Sequence, residues 1–186
     1  MSLQHAILGF LDLEPSTGYT LDQRFAGSVG SFWTATRSQI YRELHAAERA
    51  GRVRVEVVPQ DGRPARKVYH LTEAGRAALA DWLAEPVGPA QLRDPFLLKL
   101  VFSASAPPEV TDGLLAHLQA ELEASRAEYA ARLERPEIFT LARSEREALL
   151  WRLSIENGLA WCEAQLAWAA RARAALAEEP PEGGCA

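Results

Sequence analysis

The chain has 186 residues, of which 48% are hydrophobic, enough for one or two domains with a buried core. Its formal net charge of −5 argues against a protein that binds polyanions over its whole surface. Cys162 and Cys185 match no metal-site spacing and argue against a disulfide framework. Without a signal peptide or an apolar stretch of membrane length, the sequence predicts a cytoplasmic protein.

The charge is unevenly distributed along the chain. Residues 1–86 carry ten basic and ten acidic side chains, whereas residues 87–186 carry ten and fifteen. Within the first part, the window 37–67 holds eight basic and four acidic residues. Because local patches matter more for nucleic-acid binding than total charge, this window is a candidate site for a polyanion.

Residues 1–33 predict two helices. Residues 17–19 predict a turn, and Thr20 and Gln23 fit a capping box that opens a short second helix ending within residues 27–30. Phe32 and Trp33 follow and are expected to pack against other residues instead of binding a ligand. The first helix ends near residue 15 and carries one apolar stripe, formed by Leu3, Ile7, Leu8 and Leu11.

A third helix is predicted between Thr36 and Gly51. Thr36 and Gln39 fit a capping box, and Gly51 provides a C-terminal stop. Spacings of three and four place apolar residues on one face and polar, basic residues on the opposite face. The apolar set is Ile40, Leu44 and Ala47, and the polar set is Ser38, Arg42, His45 and Arg49.

A two-stranded ribbon follows the third helix directly. Valines alternate with polar residues over residues 53–57, which is the period of a half-buried strand. Residues 59–64 predict a turn through their Pro, Asp and Gly content, and residues 67–71 predict the return strand. Arg63 lies at the tip of this ribbon, and Lys67 begins its second strand.

The helix and the ribbon together predict DNA binding. Such a helix can enter the major groove, where an arginine contributes roughly 1–3 kcal/mol of base discrimination. Ser and Thr at a helix start, with free backbone amides, can hold a phosphate, and Arg63 could lie on the backbone or in the minor groove. Each feature alone is common as scaffold, whereas the order helix, helix, capped basic helix, hairpin, helix is more specific.

A fourth helix is predicted from Thr72 to residue 85, with Leu79, Trp82 and Leu83 facing inward. Prolines and a glycine within residues 86–89 then mark a boundary. We therefore predict two domains, a DNA-binding domain of helices and one hairpin over residues 1–86 and a helical dimerisation or effector domain over residues 90–178. Residues 179–186 are expected to be a disordered tail.

The second domain is helical by pattern. Asp94 caps a short helix with Pro95 at its first position. Ser144 and Glu147 form a third capping box, which opens a last helix that could reach residue 178. Between them a helix is predicted over residues 108–134, with one apolar side formed by Val110, Leu114, Leu118, Leu122 and Tyr129.

The last helix is apolar over more than half of its circumference, which requires cover on more than one side. A second copy of the chain is the natural cover, so we predict a homodimer built mainly by the last helices and the first helix. Asn157 either fixes the register of this contact or lies solvated at its edge. A seam of the coiled-coil type consists of Leu150, Leu153, Asn157, Trp161, Ala164 and Trp168.

Three tryptophans of the last helix, Trp151, Trp161 and Trp168, place flat apolar surfaces where the dimer is expected to meet. Such rings can simply fill an interface core. A cleft lined by aromatic rings can also hold a small aromatic or drug-like effector, and such a ligand would shift the spacing of the two DNA-binding helices.

Nearly the whole chain resembles the PadR family of bacterial transcriptional regulators, through the order and spacing of several motifs. Residues 94–100 resemble the start of the helical C-terminal domain of one PadR branch. One departure is Arg42, where many relatives have proline, and another is the weak net charge of the first half. The remaining matching segments are residues 7–11, 18–21, 32–33, 38–44, 48–53 and 66–76.

The resemblance implies a winged helix-turn-helix fold for residues 1–86, mainly α with a small hairpin, a homodimer, and repression of a nearby promoter that a small molecule or stress signal relieves. By position, residues that approach double-stranded DNA in such proteins match Thr36, Ser38, Gln39, Tyr41 and Arg42, and wing residues match Arg63 and Lys67. The basic helix itself adds Arg37, His45 and Arg49 to the candidate DNA-binding residues. A pair of such helices would read a pseudo-palindromic operator.

Two other classes of function remain to be weighed. The near-neutral first half leaves room for a winged-helix module that binds protein instead of DNA. An enzyme is disfavoured, because no nucleophile elbow, phosphate loop or paired metal-ligating motif is found, and the sequence predicts no cofactor and no metal. The histidines at positions 5, 45, 70 and 117 form no metal-binding pair.

Overall fold

A computed structural model describes residues 2–88, 93–140 and 142–178 of the chain. The chain divides into two compact units, Met1–Pro89 and Ala90–Ala186. The described part is mainly helical with one antiparallel hairpin, which confirms the predicted fold class. The tail over residues 179–186, for which we predict disorder, lies outside the described residues.

The first unit is a three-helix arrangement followed by a hairpin and a fourth helix. A single turn of 3-10 helix, Val29–Ser31, lies between the second and third helices. Phe32 and Trp33, which follow that turn, are 61% and 43% exposed, so the described chain does not provide the packing expected of them. The elements are α1 (Ser2–Leu13), α2 (Gly18–Gly27), α3 (Arg37–Arg49), β1 (Val53–Gln60), β2 (Arg63–Leu71) and α4 (Glu73–Ala84).

One apolar core joins these elements, and α1 packs against α3, α4 and β2. The segment between α1 and α2 also reaches the hairpin. There Ser16 and Tyr69 exchange backbone hydrogen bonds of 3.1 and 2.8 Å. Each large apolar side chain buried here contributes roughly 1.5–3 kcal/mol. The buried residues are Ile7, Leu8, Leu11, Leu21, Phe25, Ile40, Leu44, Ala47, Val53, Tyr69 and Leu71.

The start of α2 differs from the sequence prediction. The helix cap is Thr17, whose hydroxyl oxygen accepts a hydrogen bond from the backbone N–H of Thr20 at 3.1 Å. Gly18 and Tyr19, predicted as a turn, therefore form the first helical turn. Both Thr17 and Thr20 are good cap residues, and the β-bridge that holds Ser16 against Tyr69 favours the earlier start.

The hairpin turn is tighter than the sequence predicts, because only Asp61 and Gly62 separate the strands. Gly62 has φ +67°, which glycine adopts at little cost. Pro59, predicted within the turn, lies in β1 where the register shifts between Val58 and Gln60. A proline lacks an N–H and is tolerated at such an irregularity.

The fourth helix begins as predicted, since the Thr72 hydroxyl oxygen accepts a hydrogen bond from the N–H of Gly75 at 3.1 Å. The same hydroxyl donates to the carbonyl oxygen of Gly51 at 2.7 Å, which ties α4 to the end of α3. Leu79 and Trp82 are partly buried, but Leu83 is 69% exposed, contrary to the prediction.

The second unit is built on two long helices. Its elements are α5 (Pro95–Phe102), α6 (Pro108–Leu133) and α7 (Glu145–Ala177), with 3-10 turns at Ser103–Ser105 and Pro136–Phe139. The helices α6 and α7 run antiparallel, because Arg173 pairs with Asp112 near one end and Gly158 meets Tyr129 further along. Their contact buries Leu115, Leu122, Ile155, Cys162 and Ala169.

Two details of this unit depart from the predicted patterns. Val110 is exposed, and the buried stripe of α6 is centred on Leu115 instead of the expected Leu114. At the start of α7, Ser144 accepts from the N–H of Glu147 at 3.2 Å, but Glu147 does not complete the capping box. Its carboxylate accepts from the backbone N–H and guanidinium of Arg143, which lowers the pKa of Glu147.

The close approach of α6 and α7 at Gly158 makes a stability prediction. A Cβ at Gly158 would lie 2.4 Å from Cζ of Tyr129, so Gly158→Ala should destabilise the protein by roughly 1–3 kcal/mol through overpacking. Gly113→Ala is the matched control, because its Cβ meets nothing within 4 Å and alanine favours a helix. Denaturant unfolding compares the two variants, and equal stabilities would contradict this packing.

Candidate nucleic-acid interface

The third helix begins at the capping box that the sequence predicts. The hydroxyl oxygen of Thr36 accepts from the backbone N–H of Gln39 at 3.3 Å, and Oε1 of Gln39 accepts from the backbone N–H of Thr36 at 2.8 Å. At the other end Gly51 has φ +68°, the left-handed conformation that stops a helix. Because both ends are fixed, the residues displayed on the exposed face are fixed too.

The two faces of α3 differ as their spacing predicts. Ile40, Leu44 and Ala47 are buried in the core of the first unit. The opposite face is exposed and presents two guanidinium groups, an imidazole and a hydroxyl, contributed by Ser38, Arg42, His45 and Arg49. Arg42 also lies 3.5 Å from a carboxylate oxygen of Glu43, an exposed ion pair that contributes little to stability.

Two of the predicted site residues on α3 also have structural roles. Gln39 completes the cap of the helix. Tyr41 is partly buried, and its ring lies so close to α2 that a Cβ at Gly18 would be 2.6 Å from it. Only glycine at position 18 leaves room for this ring, so Tyr41 packs the third helix against the start of the second.

Arg37 is the first residue of α3 and is held by the neighbouring helix. Its Nε donates to Oδ2 of Asp22 at 2.8 Å, and its guanidinium lies 5.9 Å from the ring centre of Tyr19. The hydrogen bond and the charge of Asp22 raise the pKa of Arg37 above its ordinary value. Asp22 and Tyr19 were not among the predicted site residues.

The ribbon displays further cations beside the third helix. Lys67 pairs with Val57 in the register, and Lys67 and its neighbour Arg66 are exposed. Arg63 is paired with Gln60 through the backbone at the hairpin end, while its side chain lies outside the part of the structure that is described. Alternation places Lys67 on the same side of the ribbon as the buried Tyr69.

A cleft between α2, α3 and β2 brings several of these groups together. The first turn of α2 contributes free backbone amides, and the side chains combine hydroxyl donors with two cations. This chemistry suits an anion such as a phosphate. The residues that line the cleft are Thr17, Gly18, Tyr19, Thr20, Tyr41, Arg66, Lys67 and Tyr69.

Of the residues that line this cleft, the sequence prediction included only Tyr41 and Lys67. Arg66 carried a signal that could have been used, because it is a basic residue of the predicted ribbon. The contribution of Thr17 could not be found, since the start of α2 was placed three residues too late. The cleft therefore depends on a cap position and on the tertiary contact between α2 and the ribbon.

The three predicted effector-site tryptophans do not share one surface of α7. Trp151 is partly buried and lies four residues before the buried Ile155, on the stripe that faces α6. Trp161 is 57% exposed, and Trp168, seven residues later on the same side, is partly buried, with its ring centre 6.1 Å from the ring centre of Phe96 in an edge-to-face arrangement. The geometry thus groups Trp161 with Trp168 and separates Trp151.

The described residues contain no group of His, Cys, Asp and Glu side chains that could hold a metal ion. Within the same residues, none of the helices combines the length and apolar character needed to cross a membrane. Cys162 is buried, and burial raises the pKa of its thiol. Cys185 lies outside the residues that are described.

Two family models match the chain in succession. Residues 7–81 match the transcriptional regulator PadR-like family, and residues 92–177 match the virulence activator alpha C-terminal family. The first match spans the helices and the ribbon that build the cleft, and the second spans the α5 to α7 unit.

Curated and solved relatives agree with these matches. The probable transcriptional regulator Rv1176c of Mycobacterium tuberculosis is 50% identical over 91 residues, which cover 49% of this chain and 48% of that protein. The negative transcriptional regulator PadR of Bacillus subtilis is 36% identical over 102 residues, 54% of this chain and 56% of that protein. The matching stretch therefore spans about half the length of each curated relative.

Structural similarity extends over nearly the whole chain. Bacillus subtilis PadR in complex with operator DNA superposes with a TM-score of 0.81 and 25% identity, covering 96% of this chain and 98% of that one. The Vibrio cholerae virulence activator AphA is 31% identical, with a TM-score of 0.68 and coverage of 94% and 97%. The PadR-like family and both curated relatives are transcriptional regulators and not enzymes, in agreement with the sequence prediction. The chain belongs to the PadR-like family of transcriptional regulators.

Proposed function

We propose that the chain is a homodimeric repressor that binds a pseudo-palindromic operator in double-stranded DNA and is released by a small aromatic effector. The observation that carries the DNA-binding part is the exposed basic face of α3 beside the cationic cleft. A regulator of transcription acts where the chromosome lies, so we place the protein in the cytoplasm.

The exposed face of α3 would enter the major groove. Arg42, His45 and Arg49 project from it, and Ser38 lies near its start, where recognition helices approach base edges. A phosphate of the DNA backbone would approach the cleft, since amides, hydroxyls and Lys67 converge there. Bacillus subtilis PadR, which has been solved with operator DNA, has the same fold and supports this assignment.

A second copy of the chain would cover the outer face of α7. Leu150, Leu153 and Trp161 lie on this face and are each about half exposed, as the predicted seam requires. Apolar patches of this kind are rare on monomers and mark interfaces. Asn157 is exposed among them, which leaves open both its predicted roles. In the dimer, two α3 helices about 34–36 Å apart would meet successive turns of a palindrome.

The effector and the sign of regulation rest on relatives. Bacillus subtilis PadR is a negative regulator and has been solved with p-coumaric acid, whereas AphA is a virulence activator. We favour repression, because Bacillus subtilis PadR, which has been solved with operator DNA and with p-coumaric acid, is named a negative transcriptional regulator. Trp161 and Trp168 offer the aromatic surface that a flat phenolic ligand would need.

The phosphate contact can be tested with Lys67→Ala. The variant should weaken binding to a selected operator and to unrelated duplexes by similar factors, and should lower the salt slope by about one. A gel shift over a range of salt concentrations measures both effects. Lys99→Ala on α5 removes the same charge at an exposed position outside the cleft and should change neither. Absence of salt-dependent DNA binding by the unmodified chain would overturn the proposed function.

The dimer can be tested by its mass in solution. Sedimentation should give twice the 20.4 kDa mass of one chain. Leu153→Glu should produce single chains, because it places a charge in the apolar seam. Ala170→Glu introduces the same charge at an exposed position of α7 outside the seam and should leave the dimer intact. A monomer before any substitution would refute this part of the proposal.

The effector hypothesis predicts quenching of tryptophan fluorescence by p-coumaric acid or another phenolic acid at concentrations that release DNA. Trp161→Phe and Trp168→Phe should reduce the quenching. Trp33→Phe in the first unit is the control and should preserve it, because Trp33 lies outside the candidate effector site. Release of DNA by a phenolic acid without any change in fluorescence would exclude these residues as the ligand site.

A further inference from the structure

An acidic residue lies inside the surface that is expected to meet a polyanion. Asp22 is on α2, three residues after Tyr19, and the carboxylate of Asp22 is largely covered, with 19% of its side chain exposed. Its partner Arg37 is 63% exposed at the start of α3. A carboxylate at this place repels DNA phosphates, so we expect Asp22 to have a role that outweighs this repulsion.

The contact uses only one edge of the Arg37 guanidinium. The Nε of Arg37 donates to Asp22 at 2.8 Å, and the ring of Tyr19 lies 5.9 Å from the guanidinium carbon. Tyr19 is itself oriented, since its hydroxyl oxygen accepts from Nε2 of Gln23 at 2.8 Å. Among the residues that the structure describes, no hydrogen bond engages the two terminal amino groups of Arg37.

These two amino groups form the fork with which arginine reads guanine or grips a phosphate. A flexible arginine loses conformational freedom when it binds, and that loss weakens binding. Asp22 and Tyr19 restrict the side chain beforehand, from a different helix than the one that carries it. The recognition fork is thus oriented by the packing of α2 against α3.

We propose that Asp22 is a positioning residue for sequence recognition, which holds Arg37 so that its amino groups read one base position of the operator. This inference rests on the proposed DNA-binding function and adds a residue and a mechanism to it. Asp22 weakens DNA binding in general through its charge, and strengthens discrimination between sequences through the orientation of Arg37.

The two effects have opposite consequences for Asp22→Ala, because this substitution removes both the charge and the oxygen that accepts from Arg37. Loss of the charge alone would raise affinity for every duplex. Loss of the orientation lowers the ratio of affinities for the selected duplex over a shuffled duplex of equal length, by about tenfold for one base contact. The selected duplex is obtained from a random pool with the unmodified full chain, and binding is measured at fixed salt.

Base preference at each position of the selected duplex separates positioning from a structural defect. Asp22→Ala and Arg37→Ala should relax the same base position, and Asp22→Ala should not lower the ratio further when Arg37 is already Ala. A general weakening of the fold would instead lower the preference at all positions. Asp81→Asn on α4 removes an equal charge from an exposed residue and should leave the ratio unchanged.

The possible failures are distinguishable. If the unmodified chain selects no sequence, the proposed function fails and this inference with it. If it selects a sequence but Asp22→Ala keeps the affinity ratio of the unmodified chain, as Asp81→Asn should, the positioning role alone is overturned. A loss that persists undiminished in the Arg37→Ala background likewise overturns it, because Asp22 would then act independently of Arg37.

Discussion

Burial of one face of α3 against α1 is the constraint on which the first unit depends. Leu44 and Ala47 are fully buried there, so the helix cannot rotate without exposing apolar surface. The opposite face is consequently presented to solvent with its basic residues in fixed order. The cap at Thr36 and the stop at Gly51 determine where that face begins and ends. Display of the candidate interface is thus a by-product of core packing.

Local sequence signals predicted most of the fold because they act over a few residues. The capping box of Thr36, the left-handed Gly51 and the alternation in the ribbon each specify backbone geometry without distant contacts. The signals failed where tertiary contacts decide. Thr17 replaced Thr20 as a cap beside a β-bridge, and Leu83 matched a helical stripe that the first unit leaves exposed.

The candidate site was predicted only in part, because local signals specify some of its residues and tertiary contacts bring in the others. Periodicity identified the exposed face of α3, but it cannot report that α2 supplies Asp22 to Arg37 from 15 residues away. Periodicity also cannot predict that the start of α2 and the strand β2 line one cleft. Family resemblance supplied the overall function, while the individual contacts depend on tertiary packing, which local sequence patterns do not encode.

The bridge between Ser16 and Tyr69 joins the ribbon to the beginning of α2 through two backbone hydrogen bonds. Tyr41 in turn packs α3 against the start of α2, so the ribbon, α2 and α3 would meet a duplex as one unit. An effector that releases this unit from DNA would therefore have little internal motion of the unit to act on. In the proposed dimer, an effector would then change the distance between the two DNA-binding domains and leave the structure of each domain unaltered.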